Sequence, residues 1–322
     1  MIYLDCNATT PIEPSVKELV VRFLSEEYGN AGSRTHEYGL RAQRAVEIAR
    51  GQVASVVDCD PSEVVFTSGA TESNNIAILG LAPYGIETGR RHIITTSIEH
   101  KAVLEPVLQL TEKGFEVTIV DPDHNGVISP ENVSSSLRED TLLVSIMHVN
   151  NETGVIQPIS EICKYLQDHA AYLHVDAAQG FGKEILPLRN PRIDLISISG
   201  HKIYAPKGVG ALITRRRSYK RPPIRPLMFG GGQERGLRPG TLPVHLVVGL
   251  GRASEMAGNS WQERAQTCAA FKQRLLEKLQ PLGPKINGAY ERTLPNVINL
   301  SFRGVNSEAL MVALKSELAI SN

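Results

Sequence analysis

Asp176-Ala-Ala-Gln179 and Ser199-Gly-His-Lys202 each follow a short apolar or β-branched run, Tyr172-Leu-His-Val175 and Asp194-Leu-Ile-Ser-Ile198. In an open α/β sheet such runs are buried strands, and ligands sit beyond the ends at which they stop. An acid and a lysine then face one crevice. Pyridoxal phosphate uses that pair: a carboxylate keeps its pyridine nitrogen protonated, and an amine forms the Schiff base. Taken singly, the aspartate reads as a helix cap and the lysine as a solvated loop residue. Together with an anion-binding turn, they read as a cofactor site.

That turn is Thr67-Ser-Gly-Ala-Thr-Glu-Ser-Asn74, which links a strand ending near Phe66 to a helix starting near Ser73. Small residues let backbone N–H groups approach an anion, and a helix N-terminus favours negative charge. Thr71 adds a hydroxyl, and Ser199 and His201 would meet the same phosphate from a second strand end. His100, in Ser97-Ile-Glu-His100, could lie flat on an aromatic ring and move protons beside it. It reads equally well as a polar first-turn residue. Asn150-Asn-Glu-Thr-Gly154 could bind a substrate carboxylate or the ring oxygen, or simply end a strand.

The stretch Gly230-Gly-Gly-Gln-Glu-Arg-Gly-Leu-Arg-Pro-Gly-Thr241 has the composition of a flexible linker. Its two arginines and threonine suit an anion clamp better. Asp5-Cys-Asn-Ala-Thr-Thr-Pro11 reads as an extended segment crossing between lobes, and Cys6 within it has no flanking cation to activate a thiolate.

Positioning these groups requires a scaffold, and the pattern supplies one. From about residue 60 to 215 strand-like runs alternate with amphipathic stretches such as 73–82, 100–112 and 158–170, which predicts a mainly parallel sheet covered by helices. Val209-Gly-Ala-Leu-Ile-Thr214 follows Ile198 too closely for a crossover, so it is expected to run antiparallel. Further on, the pattern predicts a helix over 261–280, a strand over 296–302, a helix over 307–316 and a strand begun at Leu318. The domains expected are an N-terminal segment (1–12), a large cofactor-binding domain (13–250) and a smaller α+β domain (251–322) that looks incomplete.

Lys+Arg and Asp+Glu both number 34, which argues against a general nucleic-acid binder. The dense basic stretch Arg215-Arg-Arg217 with Lys220, Arg221 and Arg225 reads as a solvated loop or a docking point for an acidic partner. Four scattered cysteines form no Cys-x-x-Cys pair, so no metal is expected and a reduced, cytoplasmic setting fits best. No secretory signal or bilayer-length apolar run stands out.

The motifs Asp5-x-x-Ala-Thr-Thr-Pro11, Thr67-Ser-Gly-Ala-Thr-Glu-Ser73, Glu99-His-Lys101, His148-Val-Asn-Asn-Glu-x-Gly154, His174-Val-Asp-Ala-x-Gln179, Ser199-Gly-His-Lys-x-Tyr204 and Gly230-Gly-Gly-x-Glu-Arg-Gly236 resemble, in order, those of the NifS/IscS-like cysteine desulfurases. The resemblance runs from residue 2 to 322. It implies a fold-type-I pyridoxal 5'-phosphate enzyme of the class-V aminotransferase superfamily that acts as a homodimer. By position, Lys202 would carry the cofactor, Asp176 would pair with its ring nitrogen, Gln179 would bond its ring oxygen and His100 would stack on it. Ala70, Thr71, Ser199, Gly200 and His201 would hold the phosphate, with Asn151 beside cofactor and substrate. Thr241 would reach the phosphate site of the partner subunit. Gln233 stands where the group usually has histidine.

The implied activity is conversion of L-cysteine to L-alanine, with sulfur passed as a persulfide to an acceptor such as an iron–sulfur scaffold or a thiolation enzyme. The family pattern continues past residue 322 into a Gly-Ser-Ala-Cys loop and a carboxylate-gripping arginine. The 322-residue chain is therefore expected to bind cofactor yet turn over cysteine poorly. Another pyridoxal-phosphate enzyme on the same scaffold, or an inactive docking scaffold, stays open as a rival at this point.

Overall fold

The computed structural model describes residues 1–321. The chain opens with a two-residue strand, β1 (Ile2–Tyr3), and helices α1 (Pro14–Ser25) and α2 (Glu37–Val57). An alternation follows: β2 (Val64–Thr67), α3 (Ala70–Thr88), β3 (His92–Thr96), α4 (Lys101–Thr111), β4 (Glu116–Val120), α5 (Pro130–Ser135), β5 (Thr141–Met147), α6 (Ile159–Tyr165), β6 (Tyr172–Asp176), β7 (Leu195–Ser199) and β8 (Gly210–Thr214). The remainder holds α7 (Val244–Leu279), β9 (Lys285–Ile286), β10 (Leu300–Ser301), α8 (Ser307–Leu314) and β11 (Leu318–Ala319).

Strands β2 to β8 form one sheet in the order β2-β8-β7-β6-β5-β3-β4. Neighbours from β4 across to β7 are parallel, and β8 runs antiparallel to both β7 and β2, as the short connection requires. Every residue of β5 and β7 is buried, the serines within them included, so both faces of these strands are covered. One face packs Val46, Val53 and Val57 of α2 with Val247, Leu250 and Ala253 of α7. The other packs Ile76, Ile78 and Leu81 of α3 with Val103, Val107 and Leu110 of α4. Helices α2 and α7 touch closely because Gly251 lacks a side chain: a Cβ there would lie 2.5 Å from the Ala49 Cα.

Two sequence expectations change in the C-terminal quarter. The helix expected over 261–280 runs without interruption from Val244 to Leu279, so residue 250 lies inside it. Its buried residues end at Ala257, and the rest of the helix leaves the core. The strand expected over 296–302 shrinks to Leu300–Ser301. Pro295 lacks an N–H for a ladder, and Val297 instead turns back on the Leu294 carbonyl and packs with Val149. Strand β11 forms as expected, and it pairs in parallel with β1.

Of the basic stretch, Arg215 and Arg217 are part of the fold, whereas Arg216, Lys220, Arg221 and Arg225 are exposed as a solvated loop would be. Arg215 is buried and donates to the carbonyls of Val57, Leu188 and Asn190, while Arg217 pairs with Asp194 at 2.6 Å. Among the described residues, no helix is long and apolar enough to cross a membrane.

The glycine-rich arm is anchored by charge. Both carboxylate oxygens of Glu234 accept from Arg50, at 2.8 and 2.9 Å, and one also accepts from the Phe66 N–H at 2.7 Å. The pair is almost fully buried, with side-chain exposures of 6% and 1%. Glu234→Ala would strand a buried guanidinium and a strand N–H, so urea denaturation should show a loss of about 3 kcal/mol or more. Glu234→Gln, which keeps an acceptor, should lose less.

Candidate active site

Strands β6 and β7 lie side by side in register, with Asp176 opposite Ser197, and both stop at the rim of one open cleft of about 660 Å³. The last residue of β6 is Asp176, buried to 6% exposure. One of its oxygens accepts from Asn74 Nδ2 at 2.7 Å and the other from the Ala178 N–H at 2.9 Å. Burial pushes its carboxyl up, while these two bonds and nearby His100 and Lys202 pull it down. Past β7 the chain makes one tight helical turn, Gly200–Lys202, that sets Lys202 on the same cleft. Burial lowers the proton affinity of its amine, and Asp5, Asp176 and Glu152 counter that effect.

The cleft's other end is the N-terminus of α3. Its N-cap is Gly69, at φ 154°, and no side chain caps the helix. N–H groups of an uncapped first turn are the ordinary elements of an anion site. Ser68, Gly69, Ala70 and Thr71 line the cleft there, with Ser199 and His201 entering from the β7 side. The close approach depends on Gly210, where a Cβ would lie 2.6 Å from the Gly69 Cα and 2.4 Å from the Ile198 oxygen. Glu72, an unwelcome charge at such a place, is tied back by Arg238 at 2.9 Å.

His100 caps α4, its Nδ1 accepting from the Ala102 N–H at 3.0 Å, which leaves Nε2 as the free ring nitrogen at the cleft. Gln179 is buried and donates through Nε2 to the Asn7 carbonyl at 2.9 Å. Asn151 also lines the cleft and accepts on its carbonyl from Asn7 Nδ2 at 3.2 Å.

Of the residues named from the sequence, Ala70, Thr71, His100, Asn151, Asp176, Gln179, Ser199, His201 and Lys202 share this cleft. Gly200 is buried in the turn beneath it, and Thr241 is exposed and does not line the cleft of its own chain. Sequence reasoning passed over Asn7, Asn74 and Glu99. Asn74 had a signal: it stands four residues after Ala70, on the α3 face that turns to the strand ends. Glu99 is buried, and its Oε1 accepts from Thr96 Oγ1 and the Met147 N–H, bracing the turn that carries His100.

Cys6 stands as an unactivated thiol, although it has a cation nearby that the sequence did not show. The fold brings Lys183 near it, yet burial outweighs this cation and pushes the thiol up. Cys59 and Cys163 are pushed up to about 12, again by burial. None of the four cysteines lines the cleft.

The profile of the aminotransferase class-V family matches residues 2–321, and the chain belongs to that family. Its relatives narrow the class. Cysteine desulfurase IscS of Klebsiella pneumoniae (strain 342) is 46% identical over 324 aligned positions, spanning 100% of this chain and 79% of that protein. The protein of the same name from Escherichia coli (strain K12 / DH10B) matches to the same extent. The crystal structure of DndA from Streptomyces lividans superposes with a TM-score of 0.89 at 55% identity, covering 98% of this chain and 88% of that one. SspA in complex with cysteine superposes with a TM-score of 0.85 at 37% identity, covering 100% and 89%. Within the class-V fold, this chain is a cysteine desulfurase.

The buried imidazoles give the site a pH signature. Burial pushes His148 and His174 down to about 3, and burial with nearby Lys202 pushes His201 down to about 4. In the unfolded chain they take up protons near 6.5, so between these values the unfolded state binds more protons and stability rises with pH. Glu99 acts oppositely: burial pushes its carboxyl up to about 8, so its stabilisation fades as pH rises through 4.5 to 8. Three imidazoles outweigh one carboxyl. Thermal unfolding should shift to higher temperature from pH 4.5 to 6.5, and His174→Gln should flatten that slope. An unchanged slope would remove His174 from the account.

Proposed function

We propose that this chain takes sulfur from L-cysteine, leaving L-alanine, in the cleft at the ends of β6 and β7. In this reading pyridoxal 5'-phosphate is held there, and the sulfur leaves as a persulfide for an acceptor protein, such as an iron–sulfur scaffold or a thiolation enzyme. The observation that carries it is the meeting of Asp176 and Lys202 across one cleft that ends on the uncapped, glycine-lined start of α3.

The residues present suit a phosphorylated pyridine. A dianionic phosphate fits the free N–H groups of the first α3 turn, the Thr71 and Ser199 hydroxyls and His201. A ring nitrogen that carries a proton fits Asp176, whose buried carboxylate otherwise has only two neutral donors. The Asn74 Oδ1, buried without a partner, belongs to the same wall. When bound, the cofactor supplies a carbonyl carbon for an amine and a ring that takes up the electron pair left when a proton leaves the substrate's α-carbon.

The chain's own groups do the rest. Asp176 would hold a proton at the ring nitrogen: burial raises the affinity of its carboxyl for a proton, the two hydrogen bonds offset part of that, and a cationic ring nitrogen would supply the missing counter-charge. Lys202, its proton affinity lowered, takes the substrate's α-proton at Nζ and returns it. His100 is fixed by its own Nδ1 bond, so Nε2 exchanges protons from a set position. Asn151 orients the substrate at the cleft wall. Since Cys6, Cys59, Cys163 and Cys268 lie off the cleft, the thiolate that receives the sulfur is none of these.

Dimerisation fits the arm. Leu227, Met228 and Phe229 are exposed just before it, Phe229 to 90%, and Thr241 faces solvent rather than its own cleft. In a homodimer Thr241 would complete the partner's phosphate site, which couples assembly to cofactor affinity.

Borohydride reduction of the yellow, cofactor-loaded protein should fix the cofactor to Lys202 in a peptide map, and Lys202→Ala should prevent it. Attachment to another lysine would sink the assignment. Mixing Lys202→Ala chains with Thr241→Ala chains should give heterodimers with one complete site and one doubly damaged site. If every Lys202-containing site binds cofactor equally whatever its partner, Thr241 does not act across the dimer.

A further inference from the structure

The segment from Asp5 to Glu13 is a strap laid along the turn that carries Lys202. On one side of the lysine, the Thr10 N–H and Oγ1 both donate to the His201 carbonyl, each at 2.9 Å. On the other side, the Tyr204 N–H donates to Thr10 Oγ1 at 2.8 Å, and the Glu13 N–H donates to the Tyr204 carbonyl at 3.1 Å. Thr9 Oγ1 also meets His201 Nδ1 at 3.2 Å. This registration sets Asn7 over the lysine.

Asn7 joins three walls of the cleft. Its carbonyl accepts from Lys202 Nζ and from Gln179 Nε2, and its Nδ2 donates to the Asn151 carbonyl. A carbonyl oxygen has two lone pairs, and these two donors fill them. Asp5 lines the same cleft two residues earlier.

An amine that alternates between a bond to cofactor and freedom needs somewhere to go when free. In a half-buried cleft an unpaired ammonium is costly, while a close carboxylate would grip it too firmly to let it return. A neutral carbonyl in contact, with a carboxylate at longer range, meets both demands. We propose that Asn7 and Asp5 are positioning residues for Lys202: the Asn7 carbonyl receives the amine when it is neither joined to cofactor nor acting on substrate, and Asp5 supplies a counter-charge at longer range. The proposal rests on the reading of Lys202 as the cofactor lysine.

Every element around the amine contributes charge. Asp5 comes from the strap, Asp176 from β6, Glu152 from the turn after β5 and Lys183 from the turn after β6, with His201 and Lys207 on the lysine's own loop. Lys183 is itself turned toward Gln179, its Nζ 3.5 Å from Oε1, and burial with nearby Lys202 lowers its own proton affinity. Asp5 stands first among the groups that raise the lysine's proton affinity.

The test reads Lys202 directly. Loaded protein is trace-labelled with dinitrofluorobenzene across a pH series, with and without excess L-alanine to displace Lys202 from the cofactor. Adducts at Lys202 are counted against exposed Lys17 by peptide mass spectrometry. Lys202 should be protected before alanine is added and labelled after it. Its labelling midpoint should fall by roughly half a pH unit or more in Asp5→Asn, as loss of a nearby carboxylate requires, and recover in Asp5→Glu. Thr10→Val, which loosens the strap without touching a charge, should lower the midpoint too, and Thr10→Ser should restore it. Protection before displacement reports that each variant still folds and binds cofactor. A midpoint that stays put in either Asp5→Asn or Thr10→Val overturns the proposal. Equal labelling before and after alanine overturns the assignment of Lys202 to cofactor, and the proposal with it.

Discussion

A carboxylate buried at the end of a parallel strand is the constraint from which the rest of this site follows. Asp176 cannot stay charged at 6% exposure without donors, and the fold supplies two that are neutral: Asn74 from α3 and the Ala178 N–H from its own turn. Using Asn74 fixes how α3 lies across the sheet, and so where its uncapped first turn opens. The register of β6 with β7 then sets the distance at which Lys202 can stand from the acid. Shifting β6 by one residue would turn Asp176 to the opposite face of the sheet.

Asp176 and Lys202 could be read from the sequence because each follows a strand-like run, and a strand's end is the most local piece of information a parallel sheet offers. His100 and the Thr67–Asn74 turn were legible for the same reason. Asn7 was not. Its part is played by a main-chain carbonyl, which every residue has, and its partners lie far along the chain at Gln179 and Lys202. Glu99 was quoted only as the neighbour of His100. Its burial against Met147 depends on β3 and β5 becoming neighbours, and no local pattern gives that pairing.

The long helix shows a second kind of limit. Val244 to Leu250 is so apolar that the amphipathic period used to find helices is weak there, and the helix emerged in the sequence only where one side turns polar. The arginines after β8 misled in the opposite way. Three in a row suggest solvent, yet Arg215 is used up by backbone carbonyls at the ends of helices and turns, and Arg217 by Asp194. Charge density predicts exposure only when no unpaired carbonyls wait nearby.

The pairing of β1 with β11 joins residues 2–3 to residues 318–319, almost the whole chain away. Such contacts carry the largest loop-closure entropy of the fold. The contacts of the strap with the Lys202 turn span nearly as much sequence. One end of the strap that lies on the Lys202 turn is thus tethered by residues from the far end of the chain, so a change near residue 318 reaches the wall of the cleft through the backbone.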